Sequence, residues 1–218
     1  MRVVIAGGHG KIALLLERLL AGRGDQAVGL IRNPAHAADV HKAGAEAVLC
    51  DLEAASAEDV ALLLSGADAV VFAAGAGPGS GALRKDSVDR AASVLMADAA
   101  ERAGVRRFIQ VSAMGAGQPP RPGSDEVWAA YIMAKTAAEA DLRGRDLDWT
   151  ILRPGGLTDA PATGKIRLAR PPVPGGTVPR ADVAAVIAAL LDTPGTWNHT
   201  LELVGGDSPV AAAVHSIS

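Results

Sequence analysis

The chain has one cysteine, Cys50, in 218 residues, which excludes an internal disulfide framework. Aromatic side chains make up only 3%, so Ala, Val, Leu and Ile must build the core. No basic block occurs: 21 Lys and Arg stand against 24 Asp and Glu, for a net charge of −3. Nucleic acid is therefore not an expected partner. Long apolar runs are missing too. The longest strictly apolar run, Val183 to Leu191, is far too short to cross a bilayer, and no membrane partner is expected. The first residues enter a strand-like run without a signal-peptide pattern. A cytoplasmic protein fits these absences. The histidines, His9, His36, His41, His199 and His215, have no metal-ligand spacing, so no metal site is expected.

What is present is globular: 49% hydrophobic and 21% charged residues, in a length suited to one domain. Short β-branched runs alternate with helical patterns. Strands are expected at Val3 to Ala6, Ala27 to Ile31, Ala47 to Leu49, Ala69 to Ala73, Arg107 to Val111, Asp148 to Leu152 and Thr200 to Val204. They read as near-continuous apolar runs, as strands buried on both faces should. Between them, Ile12, Leu15, Leu16, Leu19 and Leu20 form an apolar stripe at helical spacing. Val88, Ala91, Ala92, Leu95 and Ala99 form another, which Gly104 can cap. This alternation predicts an α/β fold, a doubly wound parallel sheet with helices on both faces.

Two stretches break the pattern. Ala113 to Glu126 contains Pro119, Pro120 and Pro122, and Arg153 to Pro179 is rich in Pro and Gly with one short strand candidate, Lys165 to Leu168. A helix from about Arg180 to Leu191 follows. The chain is read as a single domain, 1–218, with residues 153–180 forming a substrate-side lobe. Both stretches follow strands, on the edge where doubly wound proteins bind ligands. The substrate pocket is expected from Ala76 to Leu83, Met114 to Trp128 and Leu157 to Val178.

The first strand runs into Gly7-Gly8-His9-Gly10-Lys11-Ile12-Ala13. Gly8, Gly10 and Ala13 fit a Gly-x-Gly-x-x-Gly/Ala fingerprint, and Gly7, Gly10 and Ala13 fit a Gly-x-x-Gly-x-x-Ala spacing. In either frame, small residues let backbone amides approach a pyrophosphate at the positive end of the next helix. A glycine-rich turn without a ligand is the plain alternative, and the position between first strand and first helix argues against it. His9 is either a phosphate partner or a solvated loop residue. An NAD-selective fold ends its second strand in a carboxylate; here that strand ends in Arg32. A guanidinium suits a 2′-phosphate, so NADP is the expected cofactor and NAD the alternative. Asp51 and Leu52 follow the third strand, where adenine is usually flanked, although Asp51 could also cap the next turn.

The single tyrosine is Tyr131, and Lys135 follows four residues later. Trp128 to Leu142 should be helical, which puts both on one face. An ammonium there is expected to lower the phenol pKa toward working pH, so that the tyrosine can exchange a proton with a carbonyl or alcohol. Ser112 ends the fifth strand, where its hydroxyl should emerge on the ligand edge and polarise the same oxygen. Singly, each has a bland reading: surface aromatic, solvated charge, strand-end cap. Together, behind a glycine loop, they read as a reactive site.

Gly7-Gly8-His9-Gly10, Ala73-Ala74-Gly75, Val111-Ser112-Ala113, Tyr131-x-x-x-Lys135 and Trp149-Thr150-Ile151-Leu152-Arg153-Pro154-Gly155 occur in that order. Over nearly its whole length the chain resembles the short-chain dehydrogenase/reductase superfamily. More narrowly, it resembles the atypical NAD(P)H-binding branch near the NmrA-like proteins and the biliverdin and flavin reductases. The resemblance implies Tyr131 as general acid/base. It implies Lys135 as partner of the nicotinamide ribose and tuner of Tyr131, and Ser112 as the residue orienting the substrate oxygen. Ala73, Ala74 and Gly75 would line the cofactor with backbone, and Pro154 and Gly155 would border the nicotinamide. The superfamily's usual catalytic asparagine has no counterpart, since the only asparagines are Asn33 and Asn198. The implied function is an NADPH-dependent reductase of a small carbonyl, quinone or flavin-like substrate, in a monomer or homodimer. The alternatives are an NmrA-like sensor of cofactor redox state and a nucleotide-sugar epimerase or dehydratase. The retained acid/base residues argue against the sensor, and the short chain argues against the epimerase.

Overall fold

The structure, a computed structural model, describes residues 1–77, 79–120, 123 and 125–217. The β-branched runs become strands and the striped segments become helices. In order they are β1 (Arg2–Ala6), α1 (Lys11–Gly22), β2 (Gln26–Ile31), α2 (Ala37–Lys42), β3 (Glu46–Leu49), α3 (Ala57–Leu63) and β4 (Ala69–Phe72). Next come α4 (Ala82–Arg84), a π-helical turn at Lys85–Ala91, α5 (Ala92–Ala103), β5 (Arg107–Val111), α6 (Glu126–Arg143) and β6 (Asp148–Pro154). The chain finishes with β7 (Gly156–Thr158), β8 (Lys165–Ala169), β9 (Thr177–Pro179), α7 (Arg180–Leu191), β10 (His199–Gly205), β11 (Ser208–Pro209) and α8 (Val210–His215).

The main sheet runs β11-β8-β10-β6-β5-β4-β1-β2-β3. All pairs from β3 across to β10 are parallel, while β8 and β11 close the edge antiparallel. The order 3-2-1-4-5-6 is the doubly wound arrangement, and its direction reverses between β1 and β4. Alternation along each strand feeds two cores. Val3 and Ile5 pack with α1, α7 and α8, whereas Val4 and Ala6 pack with α3 and α5. Burial of both strand faces explains why the sequence shows no polar alternation in the central strands. The long apolar run is α7, which is buried nearly all round between the sheet and α1 and α8. No helix among the described residues is long and apolar enough to cross a membrane. Gly104 ends α5 at φ +71°, as expected of a left-handed cap.

The stretch at 153–180 carries three short strands. β8 joins the main sheet beside β10, burying Ile166 and Leu168 while Lys165 and Arg167 face water. Only β7 and β9 form a separate two-stranded sheet. The dense Pro and Gly hide β7 and β9 in the sequence, whereas β8 falls on the expected strand Lys165 to Leu168. Asp182, buried at the start of α7, anchors the stretch by accepting hydrogen bonds from the amides of Thr163 and Gly164 and from the Thr163 hydroxyl. In the other irregular stretch, Pro122 lies outside the described residues. Its downstream end is fixed by Asp125, whose carboxylate accepts the Trp128 amide at 3.0 Å and caps α6.

Candidate active site

At the switch between β1 and β4 the loops leave a cavity of about 620 Å³, lined by the glycine loop, the ends of β2 and β3, and Ala73, Ala74 and Gly75. Each glycine has its own steric reason. Gly7 has φ +78°, and a Cβ there would sit 2.7 Å from Ala74 Cα. A Cβ on Gly8 would sit 2.5 Å from Gly29 Cα, so Gly8 lets the loop lie on β2. Gly10 precedes α1, and a Cβ there would press on Gly7 O at 3.1 Å. The first turn of α1 has neither a side-chain cap nor an acidic residue. Its amides and the positive end of the helix are therefore left for an anion. These features fit the phosphates of a dinucleotide.

Beneath the loop, Glu17 of α1 is fully buried, and neither carboxylate oxygen has a partner among the described residues. Burial pushes its carboxyl up to about 8, so it holds its proton at neutral pH. His9 stacks on His36 with ring centroids 3.7 Å apart and bonds Asp39 at 2.8 Å. It is a braced wall residue rather than a free loop histidine. Lys11 pairs with Asp159 at 2.5 Å.

The corner beyond β2 carries a group that sequence reasoning missed. Arg32 lines the cavity, and its guanidinium donates to Glu53 Oε2 at 2.7 Å. Arg84 donates to the same oxygen at 2.7 Å, and the Ser87 hydroxyl donates to Oε1. Those two hydrogen bonds hold the Glu53 carboxyl below its usual range. A carboxylate does stand at this corner, supplied from the loop after β3 rather than from the end of β2. Asp51 caps that loop by accepting the Glu53 amide, and Leu52 lines the wall beside it.

A second cavity of about 500 Å³ shares Ala73, Ala74, Gly75 and Gly77 with the first. Ser112, Tyr131 and Lys135 all line it, with Ile12, Trp128 and Leu157. The helical spacing does put Tyr131 and Lys135 on one face. Their electrostatics, however, correct the expectation. Lys135 is almost fully buried and pairs with Asp89 of the π-helical turn, Nζ to Oδ1, at 3.1 Å. It also donates to Val111 O at 3.1 Å. Burial and the Asp89 carboxylate push the Tyr131 phenol well above its ordinary value instead of lowering it. Burial likewise lowers the Lys135 ammonium, against the pull of Asp89.

Ser112 is corrected too. Its hydroxyl donates to Glu139 Oε1 at 2.6 Å rather than toward the cavity. Glu139 also accepts two hydrogen bonds from Arg153, at 2.8 and 2.5 Å, and one from Arg143 at 2.7 Å. Burial alone would raise the Glu139 carboxyl, but the hydrogen bonds from Arg153 and Ser112 hold it below its usual range. Ser112 therefore spends its proton inward and offers the cavity only a lone pair. Pro154 and Gly155 line neither of these two cavities. Pro154 completes β6, and Gly155 donates to Leu203 O at 2.8 Å in a spot where a Cβ would strike Gly176 O.

The model of the NAD(P)H-binding family matches residues 7–194. The chain belongs to that family. A full-length relative from Bacillus subtilis, named an uncharacterized sugar epimerase, YhfK, is 36% identical over 100% of both chains. A solved Bacillus halodurans structure, named provisionally as an NAD-dependent epimerase/dehydratase, is 35% identical with a TM-score of 0.90, covering 99% of each chain. ChuY from Escherichia coli O157:H7, named an anaerobilin reductase, is 30% identical with a TM-score of 0.78, covering 95% of this chain and 98% of its own. These likenesses join this NAD(P)H-binding chain to the atypical short-chain dehydrogenase/reductases, a group of oxidoreductase and epimerase character.

Proposed function

We propose that the chain is an NADPH-dependent reductase of a small carbonyl, quinone or flavin-like acceptor. The observation that carries this reading is the second cavity, where the single tyrosine faces a space walled by the same residues, Ala73 to Gly75 and Gly77, that wall the dinucleotide cavity. A bound dinucleotide supplies hydride chemistry. The chain's own contribution is to hold the acceptor between Tyr131, Trp128 and Leu157, and to give it a proton from the Tyr131 hydroxyl. The phenol stays protonated at neutral pH because it is buried beside Asp89. That suits a donor better than a base. Ser112, with its proton committed to Glu139, accepts a hydrogen bond from an O–H or N–H of the substrate. Arg32 and Arg84 favour the 2′-phosphate of NADPH.

The names of the Bacillus relatives support a second reading, epimerisation of a sugar. Stoichiometry separates the two. A reductase consumes one NADPH per product, while an epimerase returns its cofactor unchanged. NADPH oxidation should be followed with a panel of carbonyls, quinones and flavins, alongside epimerisation of nucleotide sugars. Stoichiometric NADPH loss with one acceptor supports the reductase. Isomerised sugar without NADPH loss overturns it.

A further inference from the structure

Tyr131 lies between two ammonium groups. Lys85 Nζ is 5.3 Å and Lys135 Nζ is 5.7 Å from its ring centroid. Two cations so close would ordinarily pull a phenol toward its phenolate. Lys135, however, meets Asp89 at 3.1 Å with both side chains shut from water. Asp89 is itself fixed: its Oδ2 accepts the Ala76 amide at 3.2 Å, on the wall that both cavities share. Gly75 makes room for it, since a Cβ there would sit 3.2 Å from Asp89 Oδ1. The carboxylate projects from a π-helical turn, a distortion that often marks functional positions. Among the described residues, the charged groups lining this cavity are Lys85, Asp89, Asp125 and Lys135.

We propose that Asp89 is a positioning residue that cancels the charge of Lys135 and so keeps Tyr131 a phenol in the resting protein. This rests on Tyr131 being the proton donor of the proposed reductase. It adds a resting state: the proton is in place when the acceptor arrives, and the phenolate left by its transfer, with Lys85 5.3 Å from the ring centroid, must regain a proton from water before the next turnover.

The test does not need turnover. Tyr131 is the only tyrosine, so phenolate absorbance near 295 nm in the cofactor-free protein titrates that residue alone. The wild type should titrate above an ordinary tyrosine, which ionises near ~10. Asp89→Asn should lower the midpoint by about one pH unit or more. Lys135→Met should raise it, and the double variant should return to within about half a unit of wild type, because both charges are gone. If Asp89→Asn does not fold, Asp89→Ser takes its place in the same set of titrations. Equal midpoints with and without Asp89 overturn the proposal. The outcomes stay separable from the function itself: unmoved midpoints with Tyr131-dependent turnover remove Asp89 and leave the reductase standing. Shifted midpoints with no Tyr131-dependent turnover confirm the charge cancellation and remove Tyr131 as the proton donor.

Discussion

The two cavities share a wall but are built from opposite materials. The first is made of backbone and absence, with glycines where a Cβ would collide and a helix end without a cap. Its charged rim is half exposed. The second is made of buried charge, with Lys135 on Asp89 and Ser112 on Glu139 and its arginines. A site of the first kind binds through geometry that the fold imposes. A site of the second kind takes its chemistry from which buried ion meets which, since unscreened charges dominate one another at short range. On the proposed function, holding and reacting are thus separated.

The largest effect should come from the reacting side. Tyr131→Phe keeps the ring and its packing on Trp128, whose centroid is 5.4 Å away, and removes only the hydroxyl. Turnover of a carbonyl substrate should fall by ~10²–10⁴-fold, the usual worth of a positioned general acid. Cofactor affinity, measured by fluorescence titration, should hardly change. A parallel loss of affinity would mean the two cavities are not separable. Unchanged turnover on every accepted carbonyl would remove Tyr131 from the mechanism and favour a flavin acceptor.

The same division explains what the sequence revealed. Gly7, Gly8, Gly10 and the strand ends were legible because spacing alone fixes where small residues must lie. β5 and α7 were expected within a residue of where they stand, because a buried strand and a buried helix each carry a plain apolar run. Tyr131 and Lys135 were legible as a spacing but not as an electrostatic unit. Their behaviour depends on Asp89, forty-odd positions upstream and unmarked by any local pattern. Ser112 was misjudged for the same reason, since Glu139 looks like an ordinary helix-surface residue in sequence. Glu53 was missed because the acidic residue was sought at the end of β2. Pro and Gly hid β7 and β9, while β8 falls on the expected strand Lys165 to Leu168.

A buried charge also lies under the holding side, and it should show in stability. Glu17 ionises near 4.5 when unfolded and near about 8 when folded. The folded chain therefore holds an extra proton between those values, and stability falls as pH rises through that window. The penalty is absent below 4.5 and constant above 8. At pH 7 it is worth ~3 kcal/mol. Glu17→Gln, which mimics the protonated acid, should be more stable than wild type in urea at pH 8 and should lose that advantage at pH 5. An equal difference at both pH values would show that Glu17 keeps its charge in the fold.

Within the glycine loop, Gly10→Val should fold, because φ −64° suits any residue. The added methyls must press on Gly7 O or fill the cavity. A cost of ~1–3 kcal/mol in cofactor affinity is expected, typical of overpacking, with carbonyl turnover recovered at saturating cofactor. Normal affinity would place the phosphates elsewhere.

The smallest effect, and the sharpest for cofactor choice, lies at the exposed corner where Glu53 receives Arg32 and Arg84. A 2′-phosphate would compete with Glu53 for both guanidiniums, whereas a ribose diol would need Glu53 as its acceptor. Arg32→Ala should weaken NADPH about 10-fold and leave NADH nearly unchanged, a modest loss because the side chain is half in water and screened by salt. Glu53→Gln should act in the opposite sense. It frees both guanidiniums for the phosphate, so NADPH tightens by a few-fold while NADH weakens. Calorimetric titration of both cofactors into the wild type and the two variants gives the answer in six curves. If Glu53→Gln weakens NADPH as much as NADH, the carboxylate only braces the arginines. If Arg32→Ala costs NADH as much as NADPH, the corner reads adenosine without regard to its 2′ position, and the preference for NADPH is lost.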